Sequence, residues 1–208
     1  MRVLCGFWVL VAIVMLSGCA GMSEQACLVT DWRSVGFEDG IAGRSAGTIG
    51  SYRQACSRHG IAPDLAAYRS GHDDGVQQYC RAGNGFEVGR RGSRYQGVCP
   101  ANLEQDFLAA YNDGRQLYEL ESAVRSIENQ IAYSHRRTEE LTQAIVAASV
   151  TIIADETTSE QRAELLANTA AWAAEKVQIA EDLEDLEVEL AYRQSELLAY
   201  RETLAYAF

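Results

Sequence analysis

The chain has 208 residues, 48% hydrophobic and 23% charged, with 29 acidic against 18 basic side chains for a net charge of -11. This is ordinary globular composition, long enough to bury a core in one or two domains, and it excludes wholesale disorder and a polytopic membrane protein. The acidic balance makes nucleic acid a poor partner.

At the N-terminus Arg2 precedes an apolar run from Val3 to Leu16. The run is too short for the ~20 residues of a spanning helix but suits the core of a signal peptide, so residues 1–18 are expected to be removed. Among charged residues this removes only Arg2, leaving a net charge of -12. Leu16-Ser17-Gly18-Cys19 resembles the bacterial lipobox. The resemblance implies a diacylglycerol on the Cys19 thiol and three acyl chains in all, enough for stable anchoring. It also implies that Ala20 and Gly21, which lack the Asp that retains such proteins at the inner membrane, direct this one to the outer membrane, facing the periplasm.

Setting aside Cys5 in the leader and Cys19, four cysteines remain: Cys27, Cys56, Cys80 and Cys99. An even number in an oxidising compartment predicts two disulfides, and of the three possible connectivities Cys27–Cys56 with Cys80–Cys99 is favoured because each pair brackets one segment. Each closed loop would contribute roughly 3 kcal/mol. No metal ligands are expected, since there is no C-x-x-C and His59 and His72 stand at no recurrent ligand spacing.

Composition then splits the chain. Thirteen of its 17 glycines lie between Gly36 and Gly97. Residues 19–101 carry 8 acidic and 9 basic side chains, and residues 102–208 carry 21 and 8. The expected domains are therefore a lipid-anchored Cys/Gly-rich helical domain over 19–101 and a separate element over 102–208. In the first, Leu65-Ala66-Ala67-Tyr68-x-x-Gly71 recurs 43 residues later as Leu108-Ala109-Ala110-Tyr111-x-x-Gly114, with Cys56 and Cys99 at equal distances before. A fainter echo relates Trp32-x-x-x-Gly36-x-Glu38-Asp39-Gly40 to Tyr68-x-x-Gly71-x-Asp73-Asp74-Gly75. Glycine costs about 1 kcal/mol inside a helix, so the pairs Gly36/Gly40 and Gly71/Gly75, each on one helix face, predict close helix contact. The segment from Gly83 to Gly89 lacks the Gly-Lys-Ser/Thr ending of a phosphate loop and is not read as one.

Taken together, Asp31-Trp32, Gly36-x-x-Asp39-Gly40, Cys56-x-x-x-Gly60-x-x-Pro63-Asp64, Tyr79-Cys80, Gly85-Phe86-x-x-Gly89-Arg90-Arg91-Gly92, Val98-Cys99-Pro100 and Tyr111-x-x-Gly114-Arg115 resemble the bacterial lipoprotein family called domain of unknown function 2799. The resemblance covers roughly Cys27 to Glu121 and implies export and a lipobox. It brings no activity and no catalytic residue.

The remainder reads as a coiled coil. From Leu117 the positions Leu120, Val124, Ile127, Ile131, Ser134, Thr138, Leu141, Ile145, Ala148 and Ile152 keep 3-4 spacing. After Asp155-Glu156-Thr157-Thr158-Ser159, two overlapping capping boxes, Thr157 with Glu160 and Thr158 with Gln161, predict a second helix. It repeats the spacing at Leu165, Thr169, Trp172, Lys176, Ile179, Leu183, Leu186, Leu190, Arg193, Leu197, Tyr200, Leu204 and Ala207. Two seams joined by a short turn make an antiparallel hairpin on the order of 75 Å long, pairing Ile152 with Leu165 and Ile145 with Trp172 and placing Lys176 near Leu141. The acidic run from Glu181 to Glu189 falls mostly off the seam and reads as a solvated flank. The expected fold class is thus all-α, a small disulfide-bonded domain followed by a long hairpin.

Chemistry-bearing motifs are few. His59, His72 and His135 have no nucleophile context, so neither an enzyme nor a cofactor is expected. Arg90, Arg91 and Arg94 form the one dense basic cluster, a candidate anion site in a disulfide-held loop. Two function classes follow: a non-catalytic envelope scaffold whose hairpin engages a partner protein, or a binding module for peptidoglycan or lipopolysaccharide through the Gly/Arg-rich segment.

Overall fold

The computed structural model describes residues 22–205, so the leader, the lipobox with Cys19 and the last seam position Ala207 lie outside the described residues. Among the described residues the secondary structure is helical: α1 (Glu24–Val29), α2 (Trp32–Ile41), a 3-10 turn (Ala46–Thr48), α3 (Ile49–Ser57), α4 (Leu65–Tyr79), α5 (Ala82–Arg90), α6 (Ala101–Ile153) and α7 (Ser159–Ala205). The all-α expectation holds. The chain divides into two compact units, residues 22–88 with 93–112, and residues 89–92 with 113–205. This division falls later than the 101/102 boundary read from composition, because the first turns of α6 carry Phe107 and Tyr111 into the first unit's aromatic core.

Short helices in the first unit start where a side chain satisfies a free backbone N–H. Ser23 Oγ accepts from Ala26 N at 3.1 Å, Asp31 from Arg33 N at 3.1 Å, and Asp64 from Ala67 N at 2.9 Å. α2 and α4 then pack in parallel through their glycines. A Cβ on Gly36 would lie 2.0 Å from the Tyr68 carbonyl oxygen, and one on Gly71 would lie 1.9 Å from that of Arg33. One turn further, Gly40 meets the His72 carbonyl at 2.4 Å and Gly75 that of Phe37 at 2.3 Å. Each glycine thus faces the carbonyl three residues before its opposite number, a local two-fold relation between positions 35 apart.

Cys27–Cys56 and Cys80–Cys99 are disulfide-bonded, the pairing favoured from the sequence. Each cystine sits in its own cluster, one with buried Trp32, Ile49 and Tyr68, the other with buried Val76, Tyr79, Val88 and Phe107. The two clusters expose a fuller duplication than the 43-residue echo. Cys27 precedes Gly36 by nine residues as Cys80 precedes Gly89, and Cys56 precedes Tyr68 by twelve as Cys99 precedes Tyr111. The second copy is one helical turn shorter. After α2 the chain reverses at Gly43 (φ 68), seven residues past Gly36, against the ring of Tyr79; after α5 it reverses at Gly92 (φ 70), three past Gly89, against the ring of Tyr118. Both reversals carry the same paired backbone bonds, Gly43 N to Gly40 O with Arg44 N to Asp39 O, and Gly92 N to Gly89 O with Ser93 N to Val88 O, which define the left-handed glycine stop of a helix.

The second unit is the antiparallel pair. Every seam position from Leu117 to Ile152 and from Leu165 to Leu204 is buried or half-buried. Cross-helix contacts fix the register: Arg137 grips Glu175 with two bonds of 2.7 and 3.1 Å, Lys176 Nζ donates to Thr142 Oγ1 at 2.7 Å beside Leu141, and Arg201 pairs with Glu121 at 2.7 Å. Of the two capping boxes only Thr158/Gln161 forms, Thr158 N donating to Gln161 Oε1 at 3.0 Å and Gln161 N to Thr158 Oγ1 at 3.2 Å. Thr157 instead donates its hydroxyl to the Thr151 carbonyl at 2.6 Å. Arg162 closes the turn by donating to the carbonyls of Ile152, in the last turn of α6, and of Ala154 and Thr157 beyond it.

Two outcomes test these contacts. Gly71→Ala forces a methyl into the Arg33 carbonyl and should cost about 3 kcal/mol or more, whereas Gly50→Ala, where a Cβ meets nothing within 4 Å, should gain about 0.5–1 kcal/mol. Urea unfolding followed by near-ultraviolet circular dichroism reads both signs. In the hairpin, Leu141 is 2% exposed, so Leu141→Asp should cost about 3 kcal/mol or more while the exposed Glu184→Lys stays within about 0.5 kcal/mol. Far-ultraviolet melting distinguishes them, and equal effects would contradict the register.

Candidate functional site

The strongest convergence of polar groups lies in the first unit, around Asp39. This carboxylate is 1% exposed, because it shares a face of α2 with the packing glycines Gly36 and Gly40. Burial of a charge is costly unless donors surround it. Three do: Tyr68 Oη donates at 2.6 Å, Tyr52 Oη at 3.4 Å, and Arg44 Nη2 at 2.8 Å. The Arg44 carbonyl in turn meets His72 Nε2 at 2.7 Å. A carbonyl only accepts, so Nε2 of His72 carries the proton. Tyr52 meets the Tyr68 ring edge-on at a centroid distance of 6.3 Å, and Tyr68 stacks on His72 at 6.1 Å. Burial, and then the Asp39 carboxylate, raise the Tyr68 hydroxyl well above its ordinary value; Tyr52 is raised by the same causes.

This cluster has the residue types of an acid–base site but not the access. Asp39 and Tyr68 are sealed at 1% and 0% exposure, so no external molecule reaches the carboxylate or the phenol without opening the α2–α4 contact. Its chemistry is that of a clamp, tying α2, α3, α4 and the turn after Gly43 together. The second copy of the device lacks it. Where Asp39 stands three residues after Gly36, the corresponding position after Gly89 is Gly92, and Tyr111, equivalent to Tyr68, donates to the Ser93 carbonyl at 3.1 Å. There the polar work falls to Tyr95, which accepts from Cys99 N at 2.9 Å and donates to Glu104 Oε1 at 2.9 Å. Its hydroxyl is also raised, chiefly by burial.

The basic cluster needs a correction. Arg90, Arg91 and Arg94 were expected in a glycine-rich loop, but residues 82–90 form the helix α5. Its glycines are tolerated because Gly85 packs against the backbone of Phe107, where a Cβ would lie 2.5 Å from the carbonyl oxygen. Arg90 ends that helix, and Arg91 and Arg94 flank the reversal at Gly92; all three are exposed. Arg91 and Arg94 make no ion pair among the described residues. Arg115 donates to the Gly92 carbonyl at 3.2 Å and pairs with Glu119 at 2.9 Å.

Elsewhere the surface is shallow. An open groove of 630 Å³ on the hairpin is lined by Gln130, Tyr133, Asp182 and Asp185 among others, and a second of 340 Å³ by Ile145, Ala173, Lys176, Val177 and Ala180. Among the described residues no group of three His, Cys, Asp or Glu is placed to hold a metal ion, and no helix is long and apolar enough to cross a membrane. Sequence reasoning missed the Asp39 clamp. The available signal was an acidic residue in Gly36-x-x-Asp39-Gly40, on the face the glycines were expected to bury.

The clamp predicts an alkaline limit. A tyrosine whose folded pKa lies above its unfolded value of about 10 contributes stability that is complete below pH 10 and is lost as pH climbs toward the folded value. With Tyr52, Tyr68 and Tyr95 all raised, the first unit should lose stability above about pH 10. Tyr68→Phe should cost about 1–3 kcal/mol at neutral pH by removing a donor from Asp39, and should flatten the alkaline slope. Unfolding free energy against pH, with tyrosinate absorbance as the titration signal, checks both.

Comparison with known proteins adds one match. No curated protein and no solved structure matches the chain. The family model described as "Protein of unknown function (DUF2799)" matches residues 31–116, a stretch that takes in α2 to the first turns of α6 and therefore both copies of the glycine device. Over those residues the chain carries the domain of the DUF2799 family, the family its glycine, cysteine and tyrosine spacing resembles.

Proposed function

We propose that this protein is a non-catalytic scaffold of the bacterial envelope, held by lipid on Cys19 to the periplasmic face of the outer membrane, whose hairpin engages a partner protein. The observation that carries the reading is the hairpin itself. Helices of 53 and 47 residues, most of whose length pairs along one seam, build reach and surface rather than a cleft. The sealed state of the Asp39 cluster supports the same reading, since the best-organised polar groups are spent on holding α2, α3 and α4 together. Two cystines support an oxidising compartment.

A second reading, binding of an anionic envelope polymer such as lipopolysaccharide or peptidoglycan, rests on Arg91 and Arg94, which are exposed and make no ion pair among the described residues. Deleting residues 122–206 separates the two readings. Partners captured from envelope extracts should be lost with the hairpin if the scaffold reading holds; unchanged capture of lipopolysaccharide or peptidoglycan, abolished by Arg91→Ala with Arg94→Ala, would replace it. Cys19→Ser should leave uncleaved precursor or a product without acyl label. Normal maturation and membrane partition of that variant would contradict the anchor.

A further inference from the structure

The first unit turns one apolar edge outward. Within α1, Cys27 is buried and Ala26 half-buried, while Glu24, Gln25, Leu28 and Val29 share the opposite, exposed face. Leu28 and Val29 are 62% and 67% exposed, the most exposed large hydrophobic side chains of the first unit among the described residues, where the next, Ile41, is 37% exposed. The chain just before this helix is fixed to the body of the unit. Met22 packs against the cluster of Trp32, Ile49 and Tyr68, its sulfur 4.0 Å from Cys56 Sγ, and its carbonyl accepts from His59 Nε2 at 3.2 Å. Only Ala20 and Gly21 separate Met22 from Cys19, and three residue steps span at most about 11 Å. With acyl chains on Cys19 holding that residue in the interfacial layer of a bilayer, a body on the order of 30 Å across, held at Met22 by so short a link, cannot stand clear of the surface.

We propose that α1 docks the first unit on a phospholipid surface, Leu28 and Val29 entering it beside the acyl chains of Cys19. The inference rests on the reading of Cys19 as lipidated and adds an orientation to it. A helix of six residues is about 9 Å long, so both side chains lie within reach of the layer that holds Cys19. The short link makes the contact intramolecular. Two aliphatic side chains, too weak to hold a free protein on a bilayer, suffice at the effective concentration the link sets. Charge on this side is balanced: Glu24 on the face of α1 and Arg58 beside His59 are both exposed and make no ion pair among the described residues. Apolar insertion, not headgroup charge, therefore drives the contact. A protein partner fits less well, because so short a helix presents far less than the ~800 Å² per side of a specific interface.

Tryptophan quenching of the full-length protein purified from membranes tests this, in phosphatidylcholine vesicles whose acyl chains are brominated near the headgroup. Leu28→Trp and Val29→Trp, both at exposed positions, should melt like the parent and add an emission component that is shifted to the blue and quenched about twofold or more. Gln77→Trp is the control: it is exposed on α4, about 18 Å along the helix from Leu65, which packs in the same cluster as Met22, and its added component should escape quenching. The α1 signal should be the same at low and high salt. If the α1 components are quenched no more than that of Gln77 while the protein floats with the vesicles, the docking is overturned and the anchor stands. If the protein carries no acyl label and does not float, the anchor fails and the docking falls with it. Quenching that disappears at high salt overturns the apolar contact in favour of headgroup charge.

Discussion

Backbone contact between α2 and α4 is the constraint on which the first unit depends. With carbonyl oxygens sitting about where four methyl groups would be, the helices approach too closely to place large apolar side chains between them. Cohesion has to come from elsewhere. Two aromatic clusters flank the contact, a cystine closes each, and a carboxylate is drawn into the remaining polar space. Asp39 is tolerated there because two phenols and a guanidinium converge on it. Removing one donor leaves a buried charge short of partners, which is why the clamp responds to substitution and to alkali through the same groups.

That device is used twice. The second copy keeps the cystine, the glycine and the tyrosine at the same separations but reverses the chain one turn sooner after the glycine, and it replaces the acid clamp with a tyrosine bridging Cys99 and Glu104. The difference has a physical logic. In the first copy both helices end soon after their contact, so the clamp must hold both ends; in the second, the longer partner is α6, which continues to Ile153 and gains its stability from seam packing along that length.

What could be read from the sequence follows from the range of the forces involved. The hairpin was legible residue by residue because its period is local: 3-4 spacing places Leu141 or Leu197 at the interface whatever lies elsewhere, and both are buried. The cystine pairing was legible from sequence proximity, and the glycine contacts from their cost inside a helix. The rest depends on distant partners. Asp39 meets Tyr68 from 29 residues away, and nothing adjacent to either marks the pair. Arg162 looks like any exposed arginine of a first turn, yet it satisfies three carbonyls across the turn. Residues 82–90 look like a loop because three glycines, Gly83, Gly85 and Gly89, stand among nine residues and hide the helix until Phe107 is seen against Gly85.

These facts limit where function can reside. The groups able to do acid–base chemistry are closed off inside the α2–α4 contact, while the charges at the surface are dispersed along the hairpin, where Glu181, Asp182, Glu184, Asp185, Glu187 and Glu189 all face solvent. Solvated like charges on one helix repel one another and any acidic neighbour, so that half of the hairpin opposes close packing. The short uncharged stretch, residues 141–154 and 165–174, has no such barrier, and the outward valines Val146 and Val150 there have no role in a seam that is complete without them. A stretch of helix that carries apolar side chains away from its own partner remains unsatisfied in isolation. The hairpin therefore joins long charged stretches, which keep their distance from acidic neighbours, to a short uncharged one near the turn, residues 141–154 and 165–174, where electrostatic repulsion does not oppose close approach.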